Sequence, residues 1–172
     1  MVHIIYSIMS YVYFETTFED IYDIWDKELW PERKSKIEKM SALRWNAGLW
    51  KKHGKVSITK DRSIFDNYTP TFWGIKNEGE IIGVNSGFRT SDRIYRSRGL
   101  YIKPERRRKG LSNLLLKLTL QIALKENCKM VWTMPRKSAL FAYESVGFQK
   151  IGNWIEDDVE FGPNCVAIRV LQ

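Results

Sequence analysis

Cysteine and histidine are scarce in this chain. Its 172 residues include two Cys, Cys128 and Cys165, and two His, His3 and His53. A secreted domain held together by disulfides usually carries more cysteine, so we expect a reduced, intracellular setting and place the protein in the cytoplasm. The four residues also lack the spacing of a metal site, and we predict no bound metal.

The sequence has no apolar run long enough to span a bilayer. Its least charged segment, from Val2 to Phe14, is interrupted by Ser7, Ser10 and three Tyr. It has neither a basic leader nor a small-residue cleavage site, which argues against a signal peptide. We predict an edge strand with a loose lead-in here and no membrane association. The sequence does not decide whether Met1 or Met9 is the natural start.

Repeats, low-complexity runs and linkers are also missing, so we predict a single domain over residues 1–172. Hydrophobic residues make up 44% and charged residues 28%, a globular composition. A chain of this size hides roughly 70% of its unfolded surface on folding.

The positive charge is concentrated in one part of the chain. The formal net charge is +8, and residues 89–110 alone hold nine basic and two acidic side chains. The remainder is therefore close to neutral. A local cluster of this kind indicates one polyanionic partner with a fixed docking place.

The first third of the chain gives a clear helix signal and then weak ones. Thr16 to Glu19 has the pattern of a capping box, and the apolar residues that follow share one helical face. Pro31 suits the first turn of a second helix, which we extend to about Trp45. Residues 46–66 show no period and are predicted to be a loop with one short strand.

The rest of the chain alternates strands and helices more plainly. Gly147 suits the left-handed residue that ends a helix. We predict strands over residues 71–76, 81–88, 98–102, 129–133, 150–155 and 165–171, and helices over residues 111–126 and 138–146.

The segment from Leu100 to Ser112 runs from a strand through a basic loop into a helix. The first N–H groups of a helix have no internal acceptor and lie at the positive end of the helix dipole. They can hold a pyrophosphate, and Gly110 lets the backbone approach it closely. A Walker-type loop does not fit, because Leu111 and Ser112 follow Gly110. A dinucleotide fingerprint does not fit, because only one glycine is present.

Residues 107–112, Arg-Arg-Lys-Gly-Leu-Ser, resemble the Gln/Arg-x-x-Gly-x-Gly/Ala signature of the GNAT superfamily of acyl-CoA-dependent N-acyltransferases. Ser112 departs from the Gly or Ala that the family prefers. The resemblance implies acetyl-CoA as acyl donor, bound by Leu100, Tyr101, Ile102, Arg107, Arg108, Lys109, Gly110, Leu111 and Ser112.

The resemblance also implies a fold. We expect an α/β (in some schemes α+β) domain with a mixed, mostly antiparallel central sheet and helices on both faces. Strands 98–102 and 129–133 should be parallel neighbours that splay apart at their C-terminal ends to admit the pantetheine arm.

A second motif lies about 30 residues downstream. Residues 139–148 are similar to the family's Ala-x-x-x-Tyr-x-x-x-Gly-Phe helix, whereas Arg136 stands where the family commonly has Asn. The resemblance makes Tyr143 the catalytic residue, whose hydroxyl assists departure of the CoA thiolate. Helical spacing alone favours the other interpretation, a core aromatic on a buried face.

The resemblance implies transfer to a primary amine by direct attack within a ternary complex. A main-chain N–H near Leu100 to Ile102 would polarise the acyl carbonyl. The base that removes the amine's proton is not evident; Glu80, Asp92, Glu144 and a water relay remain open. Two acidic runs, within residues 15–28 and 156–160, would suit a cationic amine, although solvated faces explain most of them.

Two alternatives stay open on the residues alone. The first is a nucleic-acid-binding module that uses the Arg-rich segment 89–109, which the high pI favours and the lack of interleaved aromatics opposes. The second is an acyl-CoA-binding protein without catalysis. We expect acetyl-CoA and an amine-bearing small molecule or peptide as partners, and no nucleic acid; a homodimer is compatible with the sequence.

Overall fold

The chain folds around one large sheet, and the computed structural model describes residues 6–8, 10–31, 41–156 and 162–172. The first part contains β1 (Tyr6–Ile8), β2 (Tyr11–Thr16), α1 (Phe18–Ile24), a π-helical turn (Trp25–Leu29), β3 (Leu43–Trp45), α2 (Ala47–His53), β4 (Ile58–Lys60) and α3 (Ile64–Asn67). The second part contains β5 (Thr71–Asn77), β6 (Glu80–Ser91), β7 (Ile94–Ile102), a 3₁₀ turn (Pro104–Arg106), α4 (Leu111–Lys125), β8 (Met130–Thr133), α5 (Lys137–Glu144), β9 (Gln149–Ile155) and β10 (Asn164–Val170).

The main sheet of the described residues has eight strands in the order β1-β2-β5-β6-β7-β8-β10-β9. Neighbouring strands are antiparallel except β7 and β8, which are parallel and are joined through α4. The predicted mixed, mostly antiparallel sheet is therefore confirmed. β3 and β4 form a separate two-stranded sheet.

Helices cover both faces of the sheet, as expected. On one face, α4 and α5 pack on the strands through Leu115, Leu116 and Tyr143. On the other face, α1, the π-helical turn and α3 form a cluster with Trp25 at its centre, and β3 and α2 cover the far end around Trp132. The cores meet at β7, whose alternate residues belong to opposite faces.

The segment before β5 differs from the sequence prediction. The predicted second helix falls mostly on residues 32–40, which lie outside the described residues. Its predicted C-terminal end is wrong, because Leu43–Trp45 is a strand and not part of a helix. The predicted loop over 46–66 is also wrong, since it contains α2 and α3 besides the expected short strand, β4. The first error has a clear cause: β3 forms by pairing with β4 and by burying Leu43 and Trp45, contacts that local periodicity does not show.

The helix ends follow the local signals closely. Thr17 caps α1, with its side chain accepting from the Asp20 N–H, so the capping box begins one residue later than predicted. Gly147 has a φ of +90°, which confirms the left-handed residue after α5. In the part of the chain that the structure describes, no helix has the length and apolarity to cross a membrane.

Candidate active site

The central feature is a cleft where β7 and β8 separate. Their parallel pairing runs from Ile94 opposite Met130 to Arg96 opposite Trp132 and then stops. The remainder of β7 continues along β6 alone, whereas the chain after β8 turns away through Pro135 into α5. A cleft of about 660 Å³ opens between them. The predicted splay of a parallel pair is thus confirmed.

A bulge in β7 forms the floor of this cleft. Val84 pairs with Tyr101 but Ser86 pairs with Arg98, so Asn85 alone opposes Gly99 and Leu100. Gly99 has a φ of +78°, and a Cβ there would lie 2.2 Å from the indole of Trp25. The same indole donates its N–H to the Gly99 carbonyl at 3.0 Å. The bulge therefore depends on glycine, and neither motif in the sequence indicated it.

The basic loop closes one end of the cleft. After the 3₁₀ turn, Arg108 and Gly110 both take left-handed backbone conformations, with φ of +61° and +75°. Gly110 is the N-cap of α4 and provides no side-chain cap, and its carbonyl accepts the N–H of Leu114. The three preceding N–H groups of α4 thus lack an intrahelical acceptor. A Cβ on Gly110 would meet nothing within 4 Å, so there is open space beside the helix end.

The predicted CoA-binding residues are brought together, with one exception. Arg107 turns back on its own strand: its Nε donates to the Ile102 carbonyl at 2.8 Å and its guanidinium lies over the Tyr101 ring. Lys109 is exposed and lies outside the lining of the cleft. Those that line it are Leu100, Tyr101, Ile102, Arg107, Arg108, Gly110, Leu111 and Ser112.

Tyr143 belongs to the core and to the cleft at once. The residue is 3% exposed and its ring packs edge-to-face on Phe148, and Tyr143 also lines the cleft between the separated strands, as do Ser97 and Thr133. The hydroxyl lies 3.5 Å from the Ser97 Oγ and also hydrogen-bonds the Thr133 side chain. Burial raises the pKa of this phenol above its usual value, so it is protonated at neutral pH.

A buried polar network holds the partner of Tyr143 in place. The Asn85 amide donates to the Ser97 Oγ at 3.0 Å and to the Thr119 Oγ1 at 2.9 Å. Thr119 in turn donates to the Leu115 carbonyl within α4. The network links β6, β7 and α4 beneath the phenol and fixes its position. Sequence reasoning missed it, because an Asn in an apolar strand was the only signal.

The opposite side of β7 presents a different chemistry. Arg96 and Arg98 are almost fully buried and line the cleft, and Trp30 lies beside them. Glu28, on the π-helical turn, also lines the cleft and accepts from the Tyr101 hydroxyl at 3.3 Å. Within the first acidic run, residues 15–28, Glu28 is the one acidic residue described that lines the cleft. In the second run, residues 156–160, the structure describes Glu156 alone, and its side chain is exposed.

None of the three carboxylates considered as bases lines the cleft. Glu80 forms an ion pair with Lys103, and Asp92 accepts from the Tyr68 hydroxyl at 2.6 Å. Glu144 is exposed on α5. Glu28 is the carboxylate that the fold places in the cleft among the described residues. No group of three or more His, Cys, Asp or Glu side chains in the described segments is arranged to hold a metal ion.

Comparison with solved structures identifies the architecture. Ard1 from Thermoplasma volcanium superimposes with a TM-score of 0.65 and 15% identity, covering 95% of this chain and 99% of that one. An N-acetyltransferase, PaiA, from Thermoplasma acidophilum, solved in complex with coenzyme A, gives a TM-score of 0.59 and 16% identity, covering 95% of this chain and all of the other. At these identities the likeness shows the fold.

Sequence comparison extends the likeness to family membership. N-acetyltransferase family 8 member 3 of Rattus norvegicus is 24% identical over an alignment of 118 residues, and the alignment covers 61% of this chain and 52% of the rat protein. The chain therefore spans about half the length of that curated relative. Residues 18–148 match the Acetyltransferase (GNAT) family, a match that covers the basic loop, Tyr143 and the described cleft lining except Asn164. The chain belongs to the GNAT family of acetyltransferases.

Proposed function

We propose that this chain transfers an acetyl group from acetyl-CoA to a primary amine by direct attack within a ternary complex. The observation that carries the proposal is the cleft itself. One opening between two separated parallel strands brings together a helix N-terminus, a buried protonated phenol and a carboxylate.

The loop and helix end fit the diphosphate of the donor. Free N–H groups at the start of α4, left-handed residues at 108 and 110, and open space beside Gly110 form a cradle for an anion. Arg106 and Arg108 line the same end and add positive charge. The bulge at Gly99 and Leu100 frees main-chain groups of β7 toward the cleft, where an N–H is suited to polarise the acyl carbonyl.

Acetyl-CoA supplies the acyl group as a thioester whose sulfur leaves as a thiol. Tyr143 holds the proton for that sulfur on its hydroxyl, and burial keeps the phenol protonated. Glu28 is placed to take the proton of the amine, directly or through water. The walls of the cleft hold both substrates in one orientation, which supplies much of the rate.

The structure separates the arginines of segment 89–109, which weakens the nucleic-acid alternative. Arg96 and Arg98 are buried, and Arg89 is paired with Glu126 at 2.8 Å. Arg93 is exposed in the turn between β6 and β7, outside the cleft lining, and residues 106–109 present a basic surface that borders the cleft. This arrangement favours one small polyanion over a nucleic-acid backbone.

The test combines calorimetry of acetyl-CoA binding with thiol release across a panel of amines. We expect binding and amine-dependent thiol release. Gly110→Glu should sharply weaken binding, because it places a carboxylate at the anion cradle. Gly54→Glu is the matched control: Gly54 has a φ of +64° and equally open surroundings, but it ends α2 away from the cleft. Equal affinities for acetyl-CoA in the two variants would show that the basic loop is not part of the donor site.

A further inference from the structure

One polar atom in the wall of the cleft has no partner. Asn164, the first residue of β10, lines the cleft and is 4% exposed. Its Oδ1 is buried, and none of the described residues donates a hydrogen bond to it. Tyr13 has the other buried side-chain oxygen without a partner in the described segments, and it lies outside the cleft lining. A buried acceptor without a donor costs free energy, so the oxygen of Asn164 requires an explanation.

The fold fixes the orientation of this amide. The Asn164 Nδ2 donates to the Met134 carbonyl at 2.7 Å. A carbonyl only accepts hydrogen bonds, so the amide atom beside it is the nitrogen and the remaining atom is the oxygen. The next residue, Cys165, donates its backbone N–H to the Pro135 carbonyl at 3.1 Å. Two hydrogen bonds thus tie the start of β10 to the segment after β8, which forms the wall of the cleft across from β7.

Asn164 lies on the face of the sheet opposite Tyr143. Along β10, Ala167 packs in the same cluster as Tyr143, whereas Val166 packs in the cluster on the other face. The bulge beside Asn164 is in β9, so β10 keeps its alternation and Asn164 shares a face with Val166. That face also carries the π-helical turn and Glu28. Asn164 and the proposed base are therefore on one side of the sheet, and the proposed proton donor for the sulfur is on the other.

The wall that holds Asn164 also reaches the proposed base. Arg136, in the segment after β8, donates to the Leu29 carbonyl at 3.2 Å, and Leu29 directly follows Glu28. All four residues line the same cleft. The Asn164 oxygen and the Glu28 carboxylate are thus two hydrogen-bond acceptors on one continuous side of the cleft.

A neutral primary amine has two N–H hydrogens, and acyl transfer removes one of them. The nitrogen attacks the thioester carbon and a C–N bond forms. One proton passes to Glu28, directly or through water, the C–S bond breaks, and the sulfur takes the proton of Tyr143. Solvent then restores both residues. The second hydrogen stays on the nitrogen and becomes the N–H of the product amide. The Asn164 Oδ1 suits this hydrogen, because a neutral amide oxygen accepts a hydrogen bond without taking the proton.

We infer that Asn164 binds the acceptor directly: its Oδ1 accepts the N–H that the amine keeps, and this bond directs the nitrogen lone pair at the thioester. The inference rests on the proposed acetyltransferase function and specifies its substrate class. A secondary amine has a single N–H, which must depart, so Oδ1 would stay unpaired throughout the reaction. The site therefore selects primary amines over secondary amines.

The experiment compares primary amines with their N-methyl derivatives. Benzylamine, phenethylamine and glycinamide are each paired with the mono-N-methyl compound, and thiol release is measured at saturating acetyl-CoA. In at least one pair, kcat/KM should favour the primary amine by about ten-fold or more. Asn164→Leu keeps a side chain of similar size but has no acceptor. The ratio of kcat/KM for primary over N-methyl amine should therefore fall about ten-fold, because the primary amine loses its bond.

Stability separates this role from a structural one. Asn164→Leu takes the donor from the Met134 carbonyl but also removes an unpaired buried oxygen, so the melting temperature and the affinity for acetyl-CoA should stay near wild type. Asn77→Leu is the matched control. Asn77 is 6% exposed and its amide donates to the Ser10 carbonyl, but it lies outside the cleft lining. Asn77→Leu should lower the melting temperature and leave the ratio of kcat/KM unchanged.

The outcomes separate this inference from the function on which it rests. An unchanged ratio in folded Asn164→Leu, or in Asn164→Ala if the leucine variant does not fold, overturns the inference and assigns Oδ1 to a buried water. Acylation of the N-methyl amines as fast as the primary amines by wild type also overturns it. Both results leave the acetyltransferase proposal intact. If no primary amine of the panel releases thiol, both proposals fail.

Discussion

Tyr143 provides the sharpest test at a single side chain. Tyr143→Phe removes the hydroxyl at the cleft and leaves the ring on Phe148. We expect the single-turnover rate to fall by about a hundred-fold because the proton donor is lost, with the affinity for acetyl-CoA unchanged. Loss of the bonds to Ser97 and Thr133 should also lower the free energy of unfolding by about 1 kcal/mol.

A matched variant separates catalysis from stability. Tyr95, on β7, is buried like Tyr143, and its hydroxyl hydrogen-bonds the Thr71 side chain. Tyr95→Phe therefore also removes a hydrogen bond, but Tyr95 does not line the cleft. Tyr95→Phe should therefore cost stability and leave the rate of folded protein unchanged. A normal rate in Tyr143→Phe would return that tyrosine to a purely structural role and favour an acyl-CoA-binding protein or another proton donor.

The same phenol sets an expectation for the pH profile. Burial raises the pKa of Tyr143 above its ordinary value of 10.0. The donor is protonated below that raised pKa and is lost only as the pH rises through it. Single-turnover rates should therefore show no loss from this group up to about pH 10. A decline centred between neutral pH and about pH 9 that disappears in Tyr143→Phe would contradict the assignment.

Glu28 is the second residue whose role can be separated. Glu28→Gln keeps an acceptor for the Tyr101 hydroxyl but cannot take a proton. We expect the rate of acyl transfer to fall by about a hundred-fold, with donor affinity unchanged. Glu80→Gln and Asp92→Asn serve as controls, because both carboxylates lie outside the cleft and should be dispensable. A normal rate in Glu28→Gln would favour deprotonation by a water relay.

Gly99 decides the shape of strand β7. Gly99→Ala must accommodate a Cβ 2.2 Å from Trp25 at a φ of +78°. We expect the free energy of unfolding to fall by about 2 to 5 kcal/mol, from the clash and the strained backbone together. Gly79 has a similar φ of +81° in open space, so Gly79→Ala isolates the backbone contribution, about 1 to 2 kcal/mol.

Denaturant titration followed by tryptophan fluorescence measures both glycine variants. Trp25 packs on the bulge, so the fluorescence of Gly99→Ala should differ from wild type even before unfolding. Equal stabilities in the two variants would mean that the bulge yields easily and that its link to Trp25 is weak.

The whole fold controls the reactivity of the two thiols. Burial raises the pKa of Cys128 to about 11 and raises that of Cys165 above its usual range. At about pH 8 little thiolate is present in the native state, so neither thiol should react with a disulfide reagent until the domain unfolds. In denaturant both should label rapidly. Fast labelling of native protein would show that the core around α4 and β10 opens locally, without global unfolding.

Thiol protection also provides a common check for the variants. A change in rate counts as chemical only where both thiols stay protected. Because a buried thiol reacts only when the core around it opens, loss of protection in a variant marks loss of native packing around α4 and β10.

Local motifs were sufficient to locate the proposed donor site. The basic loop, Gly110 and the helix of Tyr143 lie within short segments whose conformation depends on near neighbours. A strand that ends at Ile102, before Pro104, and a helix that begins after Gly110 follow from steric preferences and helix-end hydrogen bonding. The family resemblance carried by these motifs predicted nine CoA-binding residues, of which eight line the cleft, and it also implied the separation of a parallel pair of strands.

Contacts between distant segments decided the rest. Glu28 reaches the cleft because Trp25, three residues earlier, is anchored 74 residues away on Gly99. Arg96 and Arg98 are buried because tryptophans from β8 and from the π-helical turn with its C-cap cover their guanidinium groups. Likewise β3 exists because β4 pairs with it. In a sequence these appear as a solvated acidic helix, a basic stretch and an irregular loop, since burial and charge pairing depend on what the fold places opposite each residue.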